Sequence, residues 1–233
     1  MSGVLRRKIG PAVRPYGKEA FLKALPDGAR VLDVGCGNNS PLHCKQCAPS
    51  IHYTGLDIGD YNQETDSIRV ADQYVLTSSS EFASTIESMK GSFDAVISAH
   101  NLEHCEDQDR TLRAMCAALD ERGVMFLAFP CEASVEFPSR KRTLNFFDDP
   151  THSKPVVLSR TMDLLTSSGM IVNVLKRRHR PPLLFAAGLL LEPVSALTRT
   201  AMPLTSTWAL WGFETVIWAK REGSSIASGT AAI

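Results

Sequence analysis

The chain carries no excess of charge of either sign: its 25 basic and 25 acidic side chains leave a formal net charge of zero. That balance argues against a globally basic nucleic-acid binder, and no appended RNA-binding module accompanies it. No apolar stretch follows Arg6, Arg7 and Lys8, where Gly10, Pro11 and Pro15 stand instead, so no secretory leader is expected. The longest apolar run, Leu183 to Leu191, falls well short of the roughly 18 to 20 residues that span a bilayer. The six cysteines, Cys36, Cys44, Cys47, Cys105, Cys116 and Cys131, follow no disulfide framework, which suits reduced thiols in a cytoplasmic compartment. What is present, 44% apolar and 21% charged residues among 233, is the composition of an ordinary globular protein. One domain is expected over 1–222. The small polar residues of 223–233 read as a disordered tail.

Short β-branched runs alternate with helical patterns along the chain. Arg30 to Val34, His52 to Asp57, Ser67 to Ala71, Phe93 to Ser98 and Val124 to Phe129 read as buried strands, and such alternation means a parallel sheet in an α/β fold. Ser78 with Glu81 forms a capping-box pattern ahead of Phe82, Ile86 and Met89. Leu112, Met115, Cys116 and Leu119 make a helical stripe ended by Gly123, and a helix from Ser159 stops at Gly169 and feeds the strand Met170 to Leu175. A last strand is expected at Phe213 to Ala219. Two connections, 130–157 and 180–212, exceed the roughly 12 to 15 residues beyond which loops tend to be functional. Substrate specificity is expected to reside there.

The stretch VLDVGCGNNS sets Gly35-Cys36-Gly37 directly after an apolar strand, where missing Cβ atoms allow a sharp bend and close approach of a ligand. Asp33 lies two residues before the first glycine, and Ser40 occupies the place of a third. A carboxylate there offers a pyrophosphate nothing, so the turn suits a ligand with a cationic amino group. Asp57 ends the second strand 22 positions after Gly35, where an acid accepts both hydroxyls of a ribose. Together they suggest a nucleoside bearing an amino acid.

In these motifs the chain resembles the class I S-adenosylmethionine-dependent methyltransferases. VLDVGCG is similar to their first motif, YTGLDI to the ribose-binding second, FDAVISAHNLEH to their fourth strand and following loop, and GVMFLAFP to their fifth strand. The resemblance implies a Rossmann-like, seven-stranded, mostly parallel sheet with helices on both faces and an antiparallel last strand. It also implies S-adenosylmethionine as cofactor. Position by position, Asp33, Gly35, Cys36 and Gly37 would hold the methionine part, Asp57 and Ile58 the ribose end, Asp72 the adenine, and Ser98, Ala99 and His100 the region near the sulfonium.

Methyl transfer from a sulfonium needs alignment above all, and a hydroxyl acceptor also needs a base poised near neutral pH. His104 on the loop after the fourth strand and His152 in DDPTH after the fifth are the expected catalytic residues, with His152 preferred. Glu103, Asp148 and Asp149 are weaker candidates, and Asp149, preceding Pro150, suits a turn cap. Cys44-x-x-Cys47 has no second pair downstream, so no metal is expected. The basic runs SRKR at 139–142 and KRRHR at 176–180 suit an anionic small-molecule or glycan acceptor. The leucines of 183–191 need a cover, which could be the protein's own substrate lid, a second copy in a homodimer, or a membrane surface touched peripherally through 176–191. Two other readings stand beside methyl transfer: a catalytically silent donor-binding subunit, and a nicotinamide-dependent dehydrogenase.

Overall fold

The computed structural model describes residues 12–222. Seven strands form one sheet: β1 (Arg30–Val34), β2 (His52–Asp57), β3 (Gln73–Leu76), β4 (Phe93–Ala99), β5 (Leu119–Pro130), β6 (Met170–Lys176) and β7 (Glu214–Arg221). Their order is β3-β2-β1-β4-β5-β7-β6. The first five are mutually parallel, whereas β7 runs antiparallel to both β5 and β6. This is the expected α/β architecture, including the antiparallel last strand.

Both faces of the sheet are covered, so each strand splits its side chains between two cores with period two. Leu32, Val34, Val96, Met125 and Leu127 enter the core under helices α4 (Phe82–Ser88), α5 (Gln108–Ala118) and α6 (Leu158–Ser167). Val31, Tyr53, Ala95, Ile97, Phe126 and Trp218 enter the opposite core, which also holds Phe21 and Leu22 of α1 (Lys18–Lys23) and Cys44 and Cys47 of α2 (Ser40–Cys47). All six cysteines are free and buried. The Cys44 thiol is pushed up to about 12, mainly by burial, so it stays a protonated thiol near neutral pH. Among the described residues no helix is long and apolar enough to cross a membrane.

Two local expectations are corrected. Ser67 to Ala71 is not a strand: helix α3 (Thr65–Arg69) takes its first three residues and β3 begins only at Gln73, because a five-residue apolar and polar mixture carries no period that separates strand from short helix. Gly123 does not end a helix. Helix α5 stops at Ala118, and the chain turns directly into β5, within which Gly123 lies. The tail of 223–233 lies outside the described residues.

The connection after β6 is helical, forming α7 (Pro182–Thr198) and α8 (Ser206–Trp211). Leu184, Gly188 and Ser195 of α7 are buried, whereas Leu183, Leu189, Leu190, Val194 and Leu197 are exposed. Among the described residues the expected cover therefore exists on one face of the helix only. Gly188 sets the crossing of the two helices: a Cβ there would lie 2.8 Å from the Leu210 Cβ and would strike the Ser206 carbonyl. Alanine gains about 1 kcal/mol of helix propensity, but the backbone carbonyl cannot yield and overpacking costs about 1–3 kcal/mol. Gly188→Ala should lower the melting temperature by several degrees in a thermal melt, and a rise would refute this packing.

Candidate functional site

The carboxyl ends of the five parallel strands share one edge, and the chain leaves β1 and β4 in opposite directions there. Ligands of open α/β sheets bind at such a switch point. The turn after β1 is built for close approach. Gly35 has φ +77° and its N–H donates to the Leu56 carbonyl at 2.9 Å. A Cβ on Gly35 would fall 2.6 Å from Asn101 carbons, so the loop after β4 lies directly on this glycine. Asn38 and Asn39 also adopt left-handed backbone (φ 56° and 59°), and Gln63 braces the turn through the Cys36 carbonyl (2.5 Å) and the Asn39 N–H (3.0 Å). The Cys36 side chain is fully buried in the core containing Tyr53, so only its backbone belongs to the turn.

Asp33 is 1% exposed and sits within a polar cluster of its own. Tyr53 Oη donates to it at 2.7 Å, Ser40 Oγ donates to it as well, and Lys18 Nζ stands 3.8 Å away. Ser40, in the place of a third glycine, thus fastens the start of α2 to β1. Asp57 ends β2 almost buried, its Oδ1 accepting the Ile58 N–H at 2.8 Å. Desolvation raises its pKa, offset in part by the N–H groups of Ile58, Gly37 and Gly59. Ile58, Tyr61 and Leu76 stay exposed beside it.

Asp72 is not on this edge. It precedes β3 and bonds to Lys45 at 2.6 Å and to the Tyr53 N–H at 2.7 Å, at the amino-terminal end of the strands. Moving the third strand to Gln73–Leu76 turned Asp72 from a residue after the strand into one before it. Thr77 and Ser78, which follow β3, occupy the edge instead, and Thr77 N–H donates to the Asp57 carbonyl at 3.0 Å.

Ser98 is buried at the end of β4, its hydroxyl without a partner among the described residues. Ala99 is half-buried beside it. His100 takes φ 54° and lies between two carboxylates, Nε2 2.8 Å from Glu214 and Nδ1 3.2 Å from Glu103. Burial lowers the pKa of this imidazole, but the two acids outweigh burial and push it up to about 9. The ring therefore remains protonated at neutral pH and cannot accept a proton. Glu214 also meets Arg14. Burial would raise the Glu214 pKa, but the Arg14 charge and the bonds from His100 and His179 hold it well below the usual carboxylate range. Neither Arg14 nor Glu214 carried any local signal, since the contact joins residues 200 positions apart.

His104 and His152, from loops after different strands, come together with ring centroids 4.8 Å apart. Ser153 stitches those loops, its N–H donating to the Glu103 carbonyl at 2.8 Å. The Thr151 hydroxyl donates to Asp149 (2.6 Å), so His104 Nδ1, 3.0 Å from the same oxygen, carries the proton between them. His152 Nδ1 donates to the Phe146 carbonyl at 2.5 Å. Neither Nε2 atom is used in these contacts. Asp149 caps the turn through the Thr151 N–H (2.9 Å), as the Asp-Pro sequence suggests, and Asp148 accepts N–H groups of Arg140, Leu144 and Asn145.

The basic runs are largely structural. Arg140 is buried on Glu192 of α7 (2.6 and 2.9 Å), Arg178 caps the Trp211 carbonyl and lies over Phe137, and Lys176 covers Tyr16. Lys141 and Arg142 remain exposed. Trp208 Nε1 donates to the Thr143 carbonyl at 2.6 Å, so α7 and α8 form a cap fastened to the loop after β5.

A family model described as a methyltransferase domain matches residues 6–166. The chain is 34% identical over 112 residues to the ubiquinone biosynthesis O-methyltransferase of Xanthomonas campestris pv. campestris (strain B100), covering 45% of this chain and 44% of that protein. The corresponding protein of Xanthomonas axonopodis pv. citri is 31% identical over 110 residues, 44% of each chain. The chain thus spans under half the length of these curated relatives. Among solved structures, a SAM-dependent methyltransferase from Archaeoglobus fulgidus shares the fold with TM-score 0.51 and 19% identity over 94% of this chain and 92% of that one. An S-adenosylmethionine-dependent methyltransferase from Mesorhizobium loti does so with TM-score 0.54 and 17% identity over 88% and 98%.

Proposed function

The chain belongs to the methyltransferase-domain family, in the class I fold that uses S-adenosylmethionine, and from that premise we propose that it methylates a hydroxyl of a small-molecule or glycan-type acceptor. The residues present fit the donor. Gly35 lets Asn101 of the loop after β4 pack directly on the turn, and Asp57 presents a carboxylate beside the exposed Ile58, Tyr61 and Leu76. In this reading Asp57 accepts the ribose hydroxyls and the three apolar side chains flank the adenine, with Thr77 and Ser78 taking the place first given to Asp72. Asp33 acts through the turn, by fixing β1 to α2, and Ser98, Ala99 and His100 form the floor near the sulfur. When bound, the donor supplies an electrophilic methyl group on a cationic sulfur.

The observation that carries the hydroxyl assignment is the histidine pair. His104 and His152 each commit Nδ1 to a loop oxygen and leave Nε2 outside those bonds, on the edge where the donor's turn lies. That pair assists loss of the acceptor's proton, as the base itself or through a cation the two rings hold. His152 is the better placed of the two, its ring held 4.5 Å from Phe146. The name of the Xanthomonas relatives, O-methyltransferases, supports oxygen as the acceptor atom.

The test is a panel of phenolic, aliphatic and sugar hydroxyls incubated with donor and followed by mass. At least one acceptor should gain a single methyl group, and His152→Ala should lower its turnover by roughly 10²- to 10⁴-fold with donor affinity unchanged. Donor binding with no acceptor methylated would instead favour a silent binding subunit.

A further inference from the structure

The acceptor edge holds a group that proton transfer alone leaves unexplained. Glu103 is completely buried, its Oε1 faces His100 at 3.2 Å, and its Oε2 has no hydrogen-bond partner among the described residues. A buried carboxylate oxygen without a donor is costly in a folded protein and calls for a missing partner. The neighbours nearest in kind are His104 and His152: one ligating atom from each of the three residues lies within 4.8 Å of the others.

We propose that Glu103, His104 and His152 bind one divalent cation of the zinc, manganese, iron or cobalt type. Two imidazoles and one carboxylate suit these borderline ions better than magnesium or calcium, which favour all-oxygen sets. The outer contacts are those of metal-ligating histidines, whose second ring N–H is usually held by a carbonyl or another oxygen acceptor. His152 Nδ1 meets the Phe146 carbonyl and His104 Nδ1 meets Thr151, itself bonded to Asp149. Asp149 Oδ2 lies 3.9 Å from His152 Nε2 and adds negative charge nearby. Donors at about 2.0–2.2 Å from one ion sit closer together than 4.8 Å, and the exposed ring of His104 is free to close that gap.

Three protein donors leave a coordination position open, as in catalytic rather than structural sites. The role of that position rests on the hydroxyl reading above. An acceptor hydroxyl coordinating there loses its proton to water, while the electron pair of the broken O–H bond stays on oxygen. The histidine lone pairs then face the cation, and the acceptor meets the ion instead of a bare base.

The full chain, freed of metal by a chelator and dialysed, would be titrated with Zn²⁺ by calorimetry and with Co²⁺ by visible absorption, in the absence of donor and acceptor. One ion per chain is expected. His104→Ala and His152→Ala should each weaken Zn²⁺ by at least tenfold and alter the Co²⁺ bands. Since His104 is exposed, its variant should melt like the metal-free wild type, which separates lost ligation from lost folding. No saturable uptake, or uptake unchanged in His104→Ala, would overturn the site. Metal binding without any hydroxyl methylation would remove the acceptor reading and leave the site standing. Hydroxyl methylation by a protein that takes up no ion would do the reverse.

Discussion

Asp57→Ala should lower affinity for S-adenosylmethionine by roughly 10²- to 10⁴-fold, because charge-assisted hydrogen bonds from two ribose hydroxyls contribute about 1.5–3 kcal/mol each. The carboxylate is almost buried at the end of β2, so water cannot substitute for it in the variant. Acid should act in the same direction. Desolvation raises the Asp57 pKa despite the N–H groups that oppose it, and the protonated form can no longer accept both hydroxyls. Donor affinity should therefore begin to fall at a higher pH than for an ordinary aspartate near 3.9, and Asp57→Asn should abolish that dependence. The effect on folding has the opposite sense. A carboxyl whose folded pKa lies above its unfolded value favours the folded state below the unfolded pKa, and this contribution disappears as pH rises through the folded one. Calorimetry of donor binding across the acid range tests the first statement, and thermal melts over the same range test the second. Equal affinity in Asp57→Ala would remove the nucleoside pocket from this edge.

The second large effect is expected far from the donor turn. Arg140→Ala should destabilise the cap by about 3 kcal/mol, the low end for a broken buried pair, because Glu192 keeps about a quarter of its side-chain exposure. The guanidinium holds both Glu192 oxygens and Ser195 Oγ (2.5 Å), and it lies 5.8 Å from the Trp211 ring centre. Its removal leaves Glu192 with the Trp211 Nε1 donor at 3.3 Å and without its ion pair to Arg140. At roughly 2–4 °C per kcal/mol for a chain of this size, the melting temperature should fall by roughly 6–12 °C. Hydrogen exchange should show α7 and α8 losing protection first. Replacing Arg140 and Glu192 together by methionine should recover most of the loss, since the pair is then absent instead of half present. A variant with unchanged melting and unchanged protection would show that the cap is held by its apolar contacts alone.

How much of this was legible beforehand varied with distance along the chain. β1 and β2 match the runs Arg30 to Val34 and His52 to Asp57 residue for residue, because every residue after the first is buried in each strand and a glycine follows soon after each. The third strand did not match. Its four residues are half-exposed at the sheet edge, so burial imposed no pattern on them, and the placement of Asp72 failed with it. The Ser78 and Glu81 contact forms as the local spacing suggests. The basic run around Arg140 shows the limit of local reading. Nothing within ten residues of it indicates that its partner is Glu192, and a charge with a distant partner looks like a charge waiting for a ligand.

The sequence by itself determined the make-up of the edge proposed for the donor: a glycine turn, an acid and their spacing are local, and backbone conformation there depends on which residues lack a Cβ. It also determined that His104 and His152 stand on loops at the same edge. Only the tertiary structure decided that the two rings meet, that Glu103 is buried beside them with one oxygen unanswered, and that His100 is held charged by Glu214 from the last strand. Such contacts form between segments brought together by the strand order, and burial changes the chemistry of an ionisable group only once a fold has surrounded it.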